Sequence, residues 1–341
     1  MQNTAGSKLV YCIWGAQSAD ISCKHVEMKS GSLERTVMEK RSGKNARPGW
    51  LLLGVWLLCL LICTPVMAVN FLDDEPVEPV HRTLMQWSQG NGFGGGPADR
   101  DSPLIGDRPD FVESAVTVGL GVLQLEMGYT FIYDNDGSQS VRSHGYPEAL
   151  FRYGVWKEWF ELRLMFSFLD EETVSGGTSS RLQGSEDIYL GAKIAIAPQE
   201  GFLPETGIMF NMMVPSGSAN ISDGEVLPGV SLLYSWEFDN GWALGGQTQG
   251  NRALDPISGN AYTEMSQALS IETSLNDRVG YYFEWFCLIP SGAETMKTEH
   301  YLDSGFTFLV HNDLQLDIRA GIGLGDAAAD YFFGSGLIRR F

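Results

Sequence analysis

The sequence predicts an all-β protein, a transmembrane antiparallel up-and-down β-barrel of about twelve strands. Three observations predict this fold. From residue 116 onward, apolar and polar residues alternate in segments of about ten residues, the length that a tilted strand needs to cross a bilayer. The connections between these segments alternate between short and long. Aromatic residues flank both kinds of connection, as they do at the two interfaces of a membrane barrel.

An export signal precedes the barrel. The run from Trp50 to Cys63 holds fourteen apolar residues without a charge, and Val66-Met67-Ala68 follows with small residues at the positions that a signal peptidase inspects. Four basic residues precede the run: Lys40, Arg41, Lys44 and Arg47. The alternative is a membrane anchor, but a spanning helix needs about 20 apolar residues. The pattern therefore favours a signal peptide over residues 38–68.

The flanking composition predicts the other domain boundaries. A signal peptide that starts at Met38 has a normal length, so residues 1–37 are interpreted as a mis-called N-terminal extension. Residues 69–106 are rich in acids, proline and glycine and show neither a strand nor a helix period, which predicts a flexible periplasmic leader. The barrel itself is predicted over residues 107–341.

The strands are identified by period-two alternation. In the first, Leu123, Leu125 and Met127 alternate with Gln124 and Glu126, so one face is apolar and the other polar. The other predicted strands contain residues 149–155, 160–168, 188–196, 208–214, 230–238, 242–246, 269–271, 279–289, 302–308, 314–324 and 331–341. A soluble β-sandwich also alternates. The strand lengths and the alternating connections favour the membrane barrel instead.

Connection length predicts the orientation. Long connections are expected near residues 134–147, 169–184, 215–227, 250–262 and 290–299. Long loops face the outside and short turns face the periplasm in outer-membrane barrels. An even number of strands returns the C-terminus to the side of the N-terminus.

Composition and motifs exclude several classes of function. The net charge of −19 disfavours binding to nucleic acid, because an acidic body repels phosphate backbones. Only Cys287 lies beyond residue 68, and no Cys/His cluster has the spacing of metal ligands. No nucleophile elbow, phosphate loop or zinc-protease motif occurs. We therefore expect no enzyme activity, no cofactor and no metal site.

The polar faces of the strands supply the candidate site residues. The charged residues expected to line the lumen are Glu126, Arg152, Glu161, Arg163, Asp187, Lys193, Glu237, Glu272, Glu284, Asp317 and Arg319. They could line an open pore and set its charge preference. They could equally pair across strands and fill a closed lumen. Seven of the eleven are acidic, which favours cations or neutral solutes in an open pore.

A stiff charged segment stands just before the first strand. Pro109 fixes its own φ and disfavours helical conformations at Arg108, so Asp107, Arg108 and Asp110 lie on an extended stretch. The segment Asp107, Arg108, Pro109 and Asp110 is a candidate periplasmic gate that pairs with charges of the barrel. The alternative is a simple turn that leads into the first strand.

Three short motifs resemble a known family. The run Asp107-Arg108-Pro109-Asp110-Phe111, the strand from Gly121 to Glu126 and the strand end from Leu150 to Gly154 are similar to those of the MetA-pathway phenol degradation family of bacterial outer-membrane transporters. The resemblance covers residues 105–341 in layout. It implies an outer-membrane location and transport of aromatic or other hydrophobic small molecules.

The C-terminus resembles an outer-membrane insertion signal. Phe341 ends the chain behind alternating Leu337, Phe333 and Tyr331, and Arg339 is a departure from the usual apolar residue. The resemblance implies recognition of Phe341 by the barrel-assembly machinery. The remaining expected partners are outer-membrane lipid and a small-molecule solute. The expected function is passive passage of small molecules through the lumen, and the alternative is a structural or adhesive barrel with a closed, ion-paired lumen.

Overall fold

The computed structural model describes residues 83–85 and 102–341. The predicted extension and signal peptide, and all of the predicted leader except residues 83–85 and 102–106, lie outside the described residues. No helix in the described part is long and apolar enough to cross a membrane.

The described chain forms one antiparallel sheet. Its strands are β1 (Leu123–Asn135), β2 (Gln139–Gly154), β3 (Phe160–Phe166), β4 (Phe168–Ser175), β5 (Thr178–Ser185), β6 (Ile188–Ala197), β7 (Glu205–Val214), β8 (Leu227–Glu237), β9 (Trp242–Leu254), β10 (Ala261–Asn276), β11 (Val279–Ser291), β12 (Glu299–His311), β13 (Leu314–Gly323) and β14 (Tyr331–Arg340). Neighbours in this order pair along most of the sheet, and β1 pairs with both β2 and β14, which closes a barrel.

The barrel wall has twelve strands, as predicted. β2 pairs with β3 through Ala149 to Gly154 and with β4 through Gln139 to Gly145, so β3 and β4 form one wall strand interrupted at Ser167. β5 and β6 likewise continue each other, since β5 pairs with β4 and β6 pairs with β3. The fourteen strand segments therefore form a barrel wall of twelve strands.

Successive side chains alternate between the outer and inner faces of the barrel wall, as predicted. On β3, Leu162, Leu164 and Phe166 are 45%, 41% and 43% exposed, whereas Arg163 and Met165 between them are buried. The exposed apolar face is the one that lipid covers, because in a membrane the apolar side chains of a barrel point outward. The buried side chains point into the lumen, which the protein itself fills.

Two of the predicted long loops are wrong, because residues 134–147 and 169–184 are mostly strand. β1, β2, β4 and β5 extend as paired hairpins, and the β4–β5 turn consists of Gly176 and Gly177 with φ of 57° and 79°. Positive φ at both positions favours a tight hairpin turn, which glycine adopts without strain. The extensions carry mostly polar residues, among them Arg142, Glu172 and Arg181, so no regular apolar alternation marks them as strands.

Aromatic side chains form two clusters near the strand ends. Trp156, Trp159 and Phe160 contact one another at the β2–β3 turn, with ring centroids 5.3–6.2 Å apart. Phe131 and Phe333 stand 4.9 Å apart on neighbouring strands toward the opposite end. Aromatic rings at both ends of an apolar band are typical of the interfacial girdles of membrane barrels.

Candidate functional site

An N-terminal segment, defined as residues 102–122, runs through the barrel interior before β1 begins. Its first residues are bound at the β12–β13 turn, where Leu104 N donates to Asn312 O at 2.8 Å. Its last residues are bound to the end of β2, where Gly121 N donates to Gly154 O at 2.8 Å. Residues 102–106, which the sequence assigned to the leader, therefore already contact the barrel.

Asp107 is the centre of a buried charge cluster. Its carboxylate lies 2.6 Å from Arg163 Nη1, 2.9 Å from Lys193 Nζ and 3.1 Å from Arg152 Nη1. These three bases come from β3, β6 and β2, and all four side chains are buried. A buried charge is tolerated only when it is paired and hydrogen-bonded, so this cluster fixes Asp107 against three wall strands.

Arg108 lies at the seam, which is the β1–β14 pairing that closes the barrel. Its guanidinium donates through Nη2 to Asp317 Oδ1 at 3.0 Å and through Nε to Asp317 Oδ2 at 3.1 Å. Gly128 of β1 is paired with Gly336 of β14, and a Cβ at either glycine would overlap the guanidinium. The two glycines therefore make the space that lets Arg108 reach Asp317 across the seam.

The segment then crosses the lumen. Phe111 N and Val112 N donate to the two oxygens of Glu284 on β11 at 2.8 and 2.7 Å, and Glu113 N donates to Gln247 on β9 at 2.9 Å. Glu113 also pairs with Arg163 of β3 at 3.1 Å. β3 and β11 are diametrically opposite in the barrel order, so residues 107–113 span the full width of the interior.

The crossing lies in the half of the barrel that carries the short turns. Glu126, Arg163, Lys193, Glu284 and Asp317 each lie within five residues of the strand end at those turns. The structure thus places the candidate gate residues Asp107, Arg108, Pro109 and Asp110 inside the barrel. The segment therefore both leads into β1 and contacts distant wall strands.

The eleven candidate lumen residues fall into three groups. The residues that are buried are Glu126, Arg152, Glu161, Arg163, Asp187, Lys193, Glu284, Asp317 and Arg319. Glu272 is half-buried beside Ser270, and Glu237 is exposed at the short-turn rim. Asp187 accepts hydrogen bonds from Ser216 N and Gly217 N, so it holds the β7–β8 loop at the other rim. Most of the remainder contact the N-terminal segment or one another.

A track of aromatic side chains lies along one side of the interior. The aromatic track consists of Phe111, Phe286, Tyr301 and Phe332. Phe111 stacks on Phe286 with centroids 4.4 Å apart and planes 4° apart, and Phe286 stacks on Tyr301 at 4.9 Å. Tyr301 meets Phe332 edge-on at 6.1 Å. The track leads from the N-terminal segment toward the long-loop end.

The alternation of apolar and polar residues did not predict this track. Phe286 lies two residues after Glu284, and Phe332 lies between the outward-facing Tyr331 and Phe333. The available signal was an aromatic residue on the strand face that otherwise carries polar residues. An apolar residue there has no role in contacting lipid.

A ladder of amides lies on β9. The amide ladder consists of Gln247, Gln249 and Asn251, which occupy alternate positions and face inward. Gln247 Nε2 donates to Gln249 Oε1 at 3.4 Å, and Gln249 Nε2 donates to Asn251 Oδ1 at 3.0 Å. Because Gln247 also accepts from Glu113 N, both the ladder and the aromatic track begin at the N-terminal segment.

Asp255 contacts two loops at the long-loop end of the barrel. Asp255, after β9, accepts hydrogen bonds from Ser258 N at 3.0 Å in its own loop and from Thr295 N at 2.8 Å in the β11–β12 loop. Burial acts to raise the pKa of Asp255, but the hydrogen bonds outweigh it and lower that pKa from 3.8 to about 2. Asp255 thereby joins two loops. Among residues 83–85 and 102–341, no cluster of side chains could hold a metal ion.

Comparison with solved structures identifies the fold class. An outer-membrane channel from Pseudomonas putida F1 matches with a TM-score of 0.53 at 12% identity, covering 65% of this chain and 96% of that one. The translocator domain of the autotransporter NalP from Neisseria meningitidis matches with a TM-score of 0.44 at 12% identity, covering 65% of this chain and 89% of that one. The CymD monoaromatic hydrocarbon channel matches with a TM-score of 0.38 at 11% identity, covering 74% and 96%.

The likeness to the Pseudomonas putida F1 channel establishes an outer-membrane type of β-barrel and no more than the fold. No curated protein sequence matches the chain. A family model described as "Putative MetA-pathway of phenol degradation" matches residues 106–341, from just before the charged segment to the last residue of the chain. This match covers more than half of the chain, and the protein belongs to that family.

Proposed function

We propose that this protein is an outer-membrane channel for the passive passage of small neutral molecules, including hydrophobic and aromatic ones. The observation that carries the proposal is the aromatic track. Four aromatic side chains in contact form a buried column inside the barrel, from Phe111 of the N-terminal segment to Phe332 near the long-loop end. Aromatic rings offer stacking contacts to aromatic solutes. Such weak contacts would let a solute bind and leave again.

The N-terminal segment is the proposed gate. It spans the barrel at the height of Asp107 and Glu284, so a solute that enters from the long-loop end reaches Phe111 before it reaches the periplasm. Its anchors are ion pairs and hydrogen bonds rather than covalent links. Passage therefore requires this segment to move aside at one or more of those anchors, with the strands of the barrel left in place.

The charged residues of the lumen then act on the gate rather than on the solute. Arg152, Arg163, Lys193 and Asp317 hold the segment, and their charges are neutralised by Asp107, Arg108 and Glu113. A solute with a charge would have to compete with these pairs. This arrangement supports the selection of neutral solutes.

Export and insertion complete the proposal. The predicted signal peptide over residues 38–68 would deliver the chain to the periplasm, and Phe341 would be recognised by the barrel-assembly machinery. The short turns would then face the periplasm and the β4–β5 hairpin the outside, in contact with the lipid of the outer membrane. Members of the family are described in connection with phenol degradation, which makes phenol and toluene the first solutes to test.

The test is solute uptake by lipid vesicles that contain the purified protein. We expect faster entry of phenol, toluene and catechol than into protein-free vesicles, and little acceleration for glucose or benzoate. Equal entry of all solutes with and without protein would refute the channel.

The second candidate is a structural barrel with a closed lumen. The observation that favours it is the density of buried ion pairs between the N-terminal segment and the wall, which is one way to fill a small barrel. Planar-bilayer recordings separate the two candidates. A closed barrel gives no current with the wild-type chain or with any variant that loosens the segment.

A further inference from the structure

Two polar side chains in the long-loop half of the lumen lack hydrogen-bond partners. Asn211 of β7 is 5% exposed, and neither its Nδ2 nor its Oδ1 is bonded to a described residue. Ser231 of β8 is fully buried, and its Oγ is likewise unbonded. A buried polar group without a partner destabilises the folded state. Such groups are retained where a ligand or water supplies the missing bond.

The side chains of Asn211 and Asn251 converge over Gly229, which has no side chain of its own there. Gly229 lies on β8 between Asn211 of β7 and Asn251 of β9, in register with both. A Cβ at Gly229 would stand 2.8 Å from Asn211 Nδ2 and 2.9 Å from Asn211 Oδ1, and it would overlap Asn251 Oδ1. Both amides therefore lean over the same glycine. Ser231 follows two residues later on the same inward face.

The charges around this point exclude an anionic ligand. The residues in register across it are Asn211, Gly229, Asn251 and Glu264 in one row and Met209, Ser231, Gln249 and Ser266 in the next. Neither row contains a basic side chain, and Glu264 contributes a carboxyl. An anion would find no cation here, whereas an amide offers both a donor and an acceptor to a neutral hydroxyl.

The strand order places this cluster on the side of the barrel opposite Phe332 of the aromatic track. β8, which carries Gly229 and Ser231, is diametrically opposite β14, which carries Phe332. The interior of the long-loop half therefore has aromatic rings on one side and unbonded amide and hydroxyl groups on the other. We propose that Asn211, Ser231 and Asn251, gathered over Gly229, form a binding site for the hydroxyl group of a neutral aromatic solute.

This inference rests on the proposed function and names the determinant of its selectivity. Phenol and toluene form the matched pair of probes, since they differ only by a hydroxyl in place of a methyl group. The hydroxyl satisfies groups that toluene would leave unbonded. A site built to bond a hydroxyl discriminates strongly against the analogue that lacks it.

The experiment is equilibrium dialysis of radiolabelled phenol and toluene against the full-length protein in lipid nanodiscs, with binding to empty nanodiscs subtracted. The wild-type protein is expected to bind phenol about tenfold more tightly than toluene, which corresponds to about 1.4 kcal/mol. Asn211→Leu and Gly229→Ala should each bring this ratio close to one and leave the toluene affinity unchanged. Ser231→Ala removes one hydroxyl and leaves both amides in place, so it should lower the ratio partially.

The matched control is Gln267→Leu. Gln267 is an amide on neighbouring β10, but it shares the lipid-facing row of Thr248 and Tyr234 and bonds to both, so its loss should leave the phenol-to-toluene ratio unchanged. Equal affinities in the wild-type protein would overturn the proposal, as would an unchanged ratio in folded Asn211→Leu and Ser231→Ala. Dialysis reports binding alone, so a selective site with no uptake into vesicles would refute the channel and leave this site standing.

Discussion

Arg108 and Asp317, 209 residues apart in the chain, meet through two parallel hydrogen bonds of 3.0 and 3.1 Å at the seam where the barrel closes. The pair joins the N-terminal segment to β13 and passes over the paired glycines of β1 and β14. Two parallel bonds between a guanidinium and a carboxylate fix orientation as well as distance. The pair therefore fixes both the position and the orientation of the Arg108 guanidinium.

This pair should show strong energetic coupling. Arg108→Ala and Asp317→Ala should each destabilise the folded barrel by about 3–5 kcal/mol, because each removes the closest countercharge of a buried ion. The double variant should cost much less than the sum of the two. Urea unfolding from lipid vesicles measures all three. The exposed pair Arg142–Glu172 at 3.8 Å is the control, for which coupling should not exceed about 1 kcal/mol. Additive effects at Arg108 and Asp317 would mean that the pair is not formed.

The lipid face of β13 gives a second prediction. Ile318 is 48% exposed near the middle of the strand, and Ile318→Arg should impair folding into bilayers by about 2–4 kcal/mol. Leu324→Arg, just beyond the end of the same strand, should cost about 0–1 kcal/mol because the interface tolerates charge. Unfolding in vesicles compares the two variants. Equal costs would mean that the membrane does not cover β13 as its alternation indicates.

Asp255 gives a pH-dependent prediction. Its pKa is lowered from 3.8 to about 2, so its ionised form contributes stability to the joined loops above pH 3.8. That contribution should be lost as the pH falls from 3.8 through about 2. Hydrogen exchange of the Ser258 and Thr295 amides, which donate to Asp255, measures the loss. Asp255→Asn should remove the dependence, and equal protection of these amides at pH 5 and pH 2 in the wild-type protein would contradict the assignment.

The orientation of the barrel gives a fourth prediction. Ser175→Cys, beside the β4–β5 turn, should react with a membrane-impermeant maleimide on intact cells, because the proposed orientation places that hairpin outside. Asn240→Cys, in the β8–β9 turn, should react only after the outer membrane is opened. Both positions are exposed, whereas Cys287 of the wild-type chain is buried. Labelling of Asn240→Cys alone on intact cells would mean that the barrel has the opposite orientation in the membrane.

The fold could be predicted from the sequence because the bilayer imposes a regular pattern. Leu162, Leu164 and Phe166 lie on the face expected to contact lipid. Their alternation with inward-facing residues such as Arg163 therefore follows from the membrane environment. The hairpins at residues 139–145 and 169–185 carry few outward-facing apolar residues, so the same pattern does not mark them. β2 is defined there by its pairing with β1, β4 by its pairing with β2, and β5 by its pairing with β4, which no side-chain period reveals.

The interior was harder to predict because its contacts are long-range. The sequence indicated that Arg108 and Asp110 stand on a stiff stretch, and it left open a gate or a turn. It could not indicate that Arg108 reaches Asp317, because the glycines that make room lie on β1 and β14, more than 200 residues apart in the chain. Phe286 and Phe332 were missed for a related reason. An inward apolar residue is informative only once its neighbours across the lumen are known.

The most direct test of the gated channel is single-channel recording of Arg108→Ala in planar bilayers. Loss of the Arg108 anchor should raise the conductance or lengthen the openings relative to the wild-type protein. Gly128→Ala, whose new Cβ would overlap the guanidinium, should act in the same direction without removing a charge. Arg142→Ala, at an exposed ion pair, should behave as the wild-type protein does. Folded Arg108→Ala and Gly128→Ala barrels with wild-type currents, or with no current at all, would contradict the gate.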